Sequence, residues 1–462
     1  MAISTEDTIL AMLKTYYKKD GLENLLFRNS PVLKDIEKER VVGKEQAYST
    51  MFSRGGAVGG DFQKAKKAAA NTARAAEFRV VPGQLFSVYQ MTAKEVQASK
   101  DNAGAYMPIA GARMFAANES FRKTLGACLY GSGYGELCTT NYDTQINNGQ
   151  AFDLELPAHA VMAIDIGSQL VIKENVTASD VKVTLEVMEI NGNKVNVKPS
   201  GTYGSPKVTD VLCLDGSMDK EGNPLLPVGL EGWIPTAGKR TGQDWSTLIN
   251  KKFFNVNRKV ATDRLAGAYI DGEADDKIYK TIEKLIQKVR RQGSLADLII
   301  MNDEDFMALS AEIESTNTFF TQTASTGKKA ATVGFDKLAA SFSTNYIDLI
   351  VDDPYCAKGK VYAVDKAYLK LWSYTNADNV KDGVEGNAAG KADVMEAGND
   401  GTESKPYGLI IDDYLNVKPG ADSTDGPSTE VSVLFYGSFV ITNPSVVGVA
   451  TLKGYNPMKY NA

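Results

Sequence analysis

Few residues of this chain are of the types that carry out catalysis. His159 is the only histidine, so any serine–histidine or cysteine–histidine mechanism would have to use it. It lies between two apparent strands, where a structural or surface role is the more common one. The adjacent aspartates Asp352 and Asp353 precede Pro354, a pattern that predicts a turn. They do not predict a metal site, because neighbouring side chains on a strand point apart instead of converging on a metal. The sequence therefore predicts no catalytic, metal or cofactor site and no enzyme.

The cysteines and glycines point the same way. Four cysteines, at positions 128, 138, 213 and 356, match neither a disulfide framework nor a zinc-binding spacing, so they are expected to be buried free thiols in a reducing compartment. The glycines of GSGYG at 131–135 follow a predicted helix and not a strand, which predicts a helix stop and not a phosphate-binding loop.

Length and charge limit the class of protein. The 462 residues, 43% of them hydrophobic and 23% charged, are typical of globular material with two to four domains. The net charge of −6 supplies no overall basic field, so DNA near this chain is expected to be contained and not gripped. The first residues lack a signal-peptide pattern, and the uncharged stretch Leu434–Leu452 is broken by Pro444 and predicts sheet. No membrane association is expected.

One long helix organises the chain. Pro108 suits its first turn, and Gly131 and Gly133 suit a left-handed stop. Between them apolar residues recur every three or four positions and form one stripe, namely Ala110, Met114, Ala117, Phe121, Leu125 and Cys128. Periodicity alone predicts a core helix, and the segments on either side give it a wider role.

Two segments before this helix are expected at contacts between subunits. Residues 1–42 read as an arm of short amphipathic pieces, which pack either on their own domain or on a neighbouring subunit. Residues 43–82 read as a ribbon, with a strand Gly43–Arg54, a glycine-rich turn and a basic return. This ribbon is either a solvated loop or a hairpin that docks on an acidic neighbour. The contact residues expected are Leu25, Leu26, Phe27, Arg54, Lys64, Lys66, Lys67 and Arg74.

The rest of the chain alternates between β-rich and mixed segments. Alternating apolar residues and the Asn191-Gly192 turn predict a compact β module of four or more strands, such as a small barrel. An amphipathic helix at Asp276–Arg291 and a buried strand at Leu298–Met301 predict an α/β domain. The expected units are the arm at 1–42, the ribbon at 43–82, the long helix at 83–136, the β module at 137–232, the α/β domain at 233–375, an acidic glycine-rich loop at 376–406 and return strands at 407–462.

This order of elements resembles the major capsid proteins of tailed bacteriophages, which have the Hong Kong 97-type fold. The motifs that carry the resemblance are PIAGARMFAANESFRKTLGACLYGSG, ADLIIMNDEDFMAL and LFYGSFVITNPSVVGVATLKG. The resemblance implies an α+β capsid fold with a long spine helix, a peripheral domain at 83–136 that shares a sheet with the return strands, an axial domain, an extended β-hairpin loop, an amino-terminal arm and an inserted β-rich module.

The resemblance also implies a function and partners. The chain is expected to assemble with itself into pentamers and hexamers of an icosahedral shell that encloses double-stranded DNA without reading its sequence. Portal, scaffolding and decoration proteins are the further partners expected, with no cofactor. The expected location is the virion capsid, assembled in the cytoplasm of a bacterial host.

Three alternatives stay open at this point. An encapsulin-like nanocompartment shell would keep the fold and enclose an enzyme instead of a genome. A soluble enzyme with an α/β domain would use His159 or the aspartate pairs Asp352–Asp353 and Asp412–Asp413. A β-rich adhesin or tail component would form fibres or tubes.

Overall fold

The structure is a computed structural model. It describes residues 32–33, 36–41, 44–53, 60–68, 74–92, 120–121, 123–140, 142, 145–146, 149–208, 210–236, 252–273, 276–293, 296–315, 338–342, 345–374, 409–411 and 428–452. Leu25, Leu26, Phe27, Arg54, Asp412 and Asp413 lie outside the described residues, as do the first half of the predicted spine helix and the acidic loop at 376–406.

The elements are as follows. The strands are β1 (Glu37–Arg40), β2 (Gln46–Ser53), β3 (Arg74–Val80), β4 (Gly83–Thr92), β5 (Glu136–Thr139), β6 (Phe152–Glu155), β7 (Gln169–Lys173), β8 (Val181–Asn191), β9 (Lys194–Pro199), β10 (Val211–Leu214), β11 (Ala268–Asp271), β12 (Leu298–Met301), β13 (Leu338–Phe342), β14 (Asn345–Asp352), β15 (Lys360–Val364), β16 (Leu369–Ser373), β17 (Leu409–Ile411), β18 (Ser428–Ile441) and β19 (Gly448–Thr451). The helices are α1 (Phe62–Ala68), α2 (Ala158–Met162), α3 (Leu230–Trp233), α4 (Thr262–Leu265), α5 (Ile278–Arg291) and α6 (Asp303–Ser315), with short 3-10 turns at Arg258–Ala261, Lys366–Tyr368 and Pro444–Val446.

The described end of the spine helix stops where the glycines predict. Residues 123–130 are helical, and the chain turns at Gly131, with Gly133 in the left-handed region at a φ of 91°. On this stretch Leu125 is fully buried and Phe121 is 4% exposed, so the apolar stripe faces the core. Gly229 packs directly against this end of the helix, where a Cβ on residue 229 would lie 2.1 Å from the carbonyl oxygen of Cys128. Only glycine therefore fits at position 229.

The first sheet joins distant parts of the chain. Strand β4 pairs antiparallel with β18 from Gly83 opposite Gly437 to Thr92 opposite Ser428. In this sheet β1 pairs with β16, and β16 and β17 pair with successive stretches of one edge of β18. β4 pairs with the opposite edge of β18. The early and late segments of the chain therefore share one sheet, as the resemblance implies.

The last part of the predicted arm packs on its own chain. Strand β1 runs parallel to β16, with Glu37 opposite Lys370, and Val32, Leu33 and Ile36 are buried in the main core. The described residues 32–33 and 36–41 therefore pack on the same chain. A contact of residues 1–31 with a neighbouring subunit stays a prediction.

The β module is a six-stranded sheet with the order β5-β10-β7-β8-β9-β6. The Asn191-Gly192 turn joins β8 to β9, with Gly192 at a φ of 60°, so this hairpin prediction is confirmed. Val183 and Leu185 are fully buried on the alternating face of β8. In the described residues β5 and β6 end the sheet without pairing to each other, so the module is an open sheet and not the small barrel that the strand pattern also allowed. The end strands β5 and β6 have four residues each, so few backbone groups are available for the pairing that would close a barrel.

The α/β sheet has the order β11-β19-β15-β12-β14-β13 and confirms the predicted strand Leu298–Met301 and the helix after residue 276. Asn302 caps α6, since its side-chain oxygen accepts from the Glu304 amide at 3.0 Å. Two strands lie across the expected boundaries. β19, placed with the return strands, lies in this sheet between β11 and β15, and β16, placed with the α/β domain, lies in the first sheet. Only six residues separate β18 from β19, so the chain passes from one sheet to the other without a change of pattern that could mark the passage.

Asp305 is a buried carboxyl in the first turn of α6. It is 7% exposed, and its Oδ2 accepts a hydrogen bond from the Gly359 amide at 2.5 Å. Burial raises the pKa of Asp305 to about 6, against the opposing effect of that hydrogen bond. Because the pKa of the folded state is the higher one, the stabilisation by this group is fully present below about pH 4 and is lost as the pH rises through about 6.

Replacing Asp305 with asparagine removes this titration and leaves a side-chain oxygen that can accept from Gly359. Relative to the original protein, Asp305→Asn is expected to gain up to about 3 kcal/mol of unfolding free energy between about pH 4 and pH 7. Urea unfolding of both proteins at the two pH values measures this difference, because all other groups titrate in both. A stability difference that stays constant with pH would contradict the prediction.

Candidate assembly surface

The predicted ribbon is a β-hairpin with a helix at its tip. Strands β2 and β3 pair antiparallel, with Gln46 opposite Val80, and the predicted strand Gly43–Arg54 is observed as the shorter β2. The tip helix α1 is not among the sequence predictions. Its signal was Asp61, whose Oδ1 accepts from the Gln63 amide at 2.9 Å as an N-terminal cap does.

The base of the hairpin is fixed to the body of the same chain by hydrogen bonds. The Tyr48 hydroxyl donates to the Ile441 carbonyl at 2.7 Å, and the Thr50 hydroxyl donates to the Thr442 carbonyl at 3.0 Å. On the other strand, the Arg79 amide donates to the Phe254 carbonyl at 3.1 Å. Both strands of the hairpin are therefore held at the end of β18 and by the loop before α4.

An aromatic cluster fills the space under the hairpin. The Tyr48 ring stacks on Phe78 with centroids 5.4 Å apart, and Phe78 lies 5.4 Å from Trp233. Trp372 meets Tyr48 edge-on at 5.7 Å. Phe78 and Trp233 are fully buried, and burial raises the pKa of the Tyr48 hydroxyl well above its ordinary value. Rigid rings that interlock in this way fix the direction in which the hairpin leaves the body.

Arg258 extends this cluster with a buried charge. Its guanidinium lies 4.1 Å from the centroid of the Phe253 ring, and its Nη1 donates to the Gly232 carbonyl at 2.7 Å. Burial lowers the pKa of Arg258 to about 9. Sequence reasoning missed Trp233 and Arg258, because neither lies in a periodic pattern and their partners are distant in sequence.

The tip of the hairpin, by contrast, is open to solvent. Phe62 is 76% exposed and Met51 is 62% exposed. Large apolar side chains this exposed on a projecting element are typical of a surface that another molecule covers.

Four of the charged residues predicted for this surface lie in the described part of the chain. Lys64, Lys66 and Lys67 all lie on α1, and Arg74 begins β3. Lys64, Lys66 and Arg74 are exposed, and no ion pair to them occurs within the described residues. Two acids of the ribbon instead pair with Arg79, which lies 2.9 Å from Glu77 and 3.9 Å from Glu45. The tip therefore presents positive charge beside exposed apolar groups.

The residues considered for catalysis have structural surroundings. His159 Nε2 lies 3.3 Å from the Leu137 carbonyl, and Asp353 is fully buried in the predicted turn, where its Oδ1 accepts from the Tyr355 amide. Burial raises the pKa of the Cys128 and Cys213 thiols to about 12, which disfavours the reactive thiolate. Within the described ranges no three metal-binding side chains come together, and none of the helices has the length and apolar character to cross a membrane.

Comparisons with known proteins follow the fold. No family model and no curated protein matches the sequence. Among solved structures, the capsid asymmetric unit of cyanophage A-1(L) is similar over 98% of this chain and 99% of that chain, with 12% identity and a TM-score of 0.50. The capsid of a native GTA particle is similar over 95% of each chain, with 8% identity and a TM-score of 0.42. The encapsulin complex of Synechococcus elongatus PCC 7942 is similar over 100% and 99% of the two chains, with 6% identity and a TM-score of 0.43.

At these identities the matches show the fold alone, and the two lower TM-scores carry no argument about function. The cyanophage capsid extends over nearly all of this chain, from the hairpin to the last strands. The resemblance to the major capsid proteins of tailed phages is thus confirmed at the level of the fold, and the chain has an α+β fold similar to that of the cyanophage capsid protein.

Proposed function

We propose that this chain is the major capsid protein of a tailed double-stranded DNA bacteriophage, and that it assembles into pentamers and hexamers of an icosahedral shell. The observation that carries the proposal is the capsid fold shared over 98% of the chain. The exposed tip of the hairpin supports it, since a large apolar side chain as exposed as Phe62 is typical of a surface that another molecule covers.

The parts of the chain take separate roles in this proposal. The hairpin at 43–82 is the extended loop that lies on an adjacent subunit, and residues 1–31 form an arm that does the same. The first sheet and the spine helix make the peripheral domain, and the α/β sheet makes the axial domain near the fivefold and sixfold axes.

Many weak contacts suffice for such a shell. Each subunit contacts several neighbours at once, so interfaces of modest free energy act together when the shell closes. The shell encloses double-stranded DNA by containment, with portal and scaffolding proteins as further partners. Assembly takes place in the cytoplasm of a bacterial host, and the mature protein resides in the virion.

Electron microscopy of the purified protein tests the proposal. Closed shells of uniform size, or rings of the size of a capsomer, are the expected result. Shells isolated from the producing cells are expected to protect double-stranded DNA from nuclease, whereas a shell that contains an enzyme would favour a nanocompartment. A protein that stays monomeric at every salt concentration and protein concentration would refute the proposal.

Charge reversal on the hairpin tip is the first test of the extended-loop role. The variant Lys64→Glu/Lys66→Glu/Lys67→Glu is expected to reduce the yield of shells at least about tenfold, because reversed charges repel an acidic neighbouring surface. Circular dichroism and the thermal midpoint are expected to stay close to those of the original protein, since Lys64 and Lys66 are exposed. Negative-stain microscopy and sedimentation velocity measure the yield.

A matched control separates position from total charge. Lys194, Lys198 and Lys207 are exposed on the β module, and their replacement with glutamate changes the net charge by the same amount. This control is expected to assemble normally. Normal shells from the tip variant would remove the hairpin lysines from the assembly mechanism.

A further inference from the structure

The α/β sheet carries an acidic edge. Strands β11 and β19 are parallel, β12 and β14 are parallel, and β15 runs antiparallel to both β12 and β19. The carboxyl ends of the four parallel strands therefore meet at one edge. The acidic edge consists of Asp303, Glu304 and Asp352, all exposed. Glu304 pairs with Lys358 at 2.5 Å, whereas Asp303 and Asp352 have no ion pair within the described residues.

The opposite end of the same domain is basic. Helix α5 begins after the carboxyl end of β11, runs back along the sheet and ends with Lys288, Arg290 and Arg291, which are here called the basic end. Lys288 Nζ forms an ion pair with Asp263 Oδ1 at 3.6 Å. Arg290 and Arg291 are exposed and have no ion pair within the described ranges. A cavity of about 400 Å³ opens beside them, lined by Lys284, Lys288, Arg291, Asp263, Ile270, Gln287 and Gln292.

The two ends cannot meet within one molecule. A helix of 14 residues, as α5 is, spans about 20 Å, and β12 then leads from the basic end back to the acidic edge. The Ile278 amide at the start of α5 donates to Glu312 Oε1 of α6 at 3.2 Å, which places the start of α5 beside α6 and away from Arg291. Within the described residues, two exposed acids and two exposed arginines without an ion pair thus lie at opposite ends of the domain.

An exposed apolar group accompanies the acidic edge. Met307 is 71% exposed and lies one helical turn after Asp303 on α6, with Ala308 and Ala311 also exposed on that helix. An exposed methionine beside charged groups suits a protein–protein contact, since the apolar group adds buried area at the centre and the charges around it fix the register.

We propose that the basic end of one copy of this chain docks on the acidic edge of the next copy, with Met307 inside the contact. The proposal rests on the proposed shell function and specifies which surfaces of the α/β domain join subunits. The occupant is a second copy because both complementary surfaces are present on every chain. A nucleic acid would be repelled by the acidic edge and would leave it uncovered. Contacts between unlike surfaces at opposite ends are heterologous, and they close into a ring when the rotation per subunit divides a full turn.

Charge reversal at each end, separately and together, tests this contact. Arg290→Glu/Arg291→Glu makes both ends acidic, and Asp303→Lys/Asp352→Lys makes both ends basic. Each variant is expected to lose rings and shells at least about tenfold. The chain with all four substitutions again has opposite ends, and it is expected to recover assembly to within about threefold of the original protein. Electron microscopy and sedimentation velocity give the yields.

The controls separate this inference from the proposed function. Lys194→Glu/Lys198→Glu, on the β module, changes the net charge by as much as the arginine reversal does. This variant is expected to assemble normally. If the original protein assembles and both reversed variants assemble equally well, this contact is wrong and the shell function stands. If each reversal blocks assembly and the variant with all four substitutions also fails to assemble, the two ends meet other surfaces and the inference is also overturned. If the original protein never assembles, the proposed function itself fails.

Folding is monitored by circular dichroism and by the thermal midpoint. Where a reversed variant unfolds, the milder pairs Arg290→Gln/Arg291→Gln and Asp303→Asn/Asp352→Asn replace it. Each neutral pair is expected to weaken the dependence of assembly on salt, because a charged contact is screened by salt and a neutral one is not. An unchanged salt dependence in both neutral pairs would overturn the inference.

Discussion

Replacement of Trp233 with alanine is expected to lower the free energy of unfolding by about 3–5 kcal/mol. Trp233 is fully buried between the hairpin and the body, with its ring 5.4 Å from Phe78 and 4.9 Å from Phe253. The indole nitrogen also donates to the Phe439 carbonyl at 2.7 Å. The alanine variant therefore leaves a large cavity and a buried acceptor without its donor, and these two costs add.

The loss has a specific location. The cavity lies under the base of the hairpin, so limited proteolysis of residues 46–80 is expected to become faster before the rest of the chain is cut. Chemical unfolding measures the stability, and the cut sites are identified by mass spectrometry. Trp233→Phe is the matched control, since it keeps an aromatic ring and is expected to lose less than half as much. An alanine variant within about 1 kcal/mol of the original protein would contradict the role of this cluster.

Removal of one partner of the buried ion pair between Glu231 and Lys360 is expected to cost about 3–5 kcal/mol. Their side chains are 1% and 3% exposed, and Glu231 Oε2 lies 2.7 Å from Lys360 Nζ. The other oxygen of Glu231 accepts from the Thr236 amide at 2.9 Å and from its hydroxyl at 2.5 Å. The pair joins α3 to β15, so it fixes α3 to the α/β sheet.

A double-mutant cycle separates the ionic contribution from packing. Glu231→Leu alone leaves the buried ammonium of Lys360 without its carboxylate, and Lys360→Met alone does the converse. The double variant Glu231→Leu/Lys360→Met buries neither charge and is expected to be more stable than either single variant, since the desolvation cost disappears with the pair. Losses that simply add in urea unfolding would show that the two charges do not act together.

Local patterns account for much of what could be predicted. The buried face of α5 follows from apolar residues at helical spacing, and the hairpin of β8 and β9 follows from Asn191-Gly192 between alternating residues. The cap at Asn302 and the stop at Gly131 are likewise local. Each of these features depends on residues a few positions apart, which is the range over which periodicity and turn chemistry act.

The assembly surface was only partly predictable. Three lysines near a glycine-rich turn indicated a basic projection, and the structure places Lys64, Lys66 and Lys67 on one helix at its tip. The helix itself was missed because seven residues are too few for a periodic signal, although Asp61 marked its start. The position of acidic and basic residues at opposite ends of the α/β domain was not predicted. Asp352 and Asp303 lie at the same edge only because β12 pairs with β14.

The sequence by itself determined the type and order of the longer elements, such as α5 and the hairpin of β8 and β9, and their apolar faces. The tertiary structure alone decided that β19 lies in the α/β sheet, that residues 32–41 pack on their own chain, and that Trp233 lies under the hairpin. The physical reason is range: helix and strand patterns arise from neighbours along the chain, whereas strand order, buried charges and aromatic packing depend on groups up to several hundred residues apart.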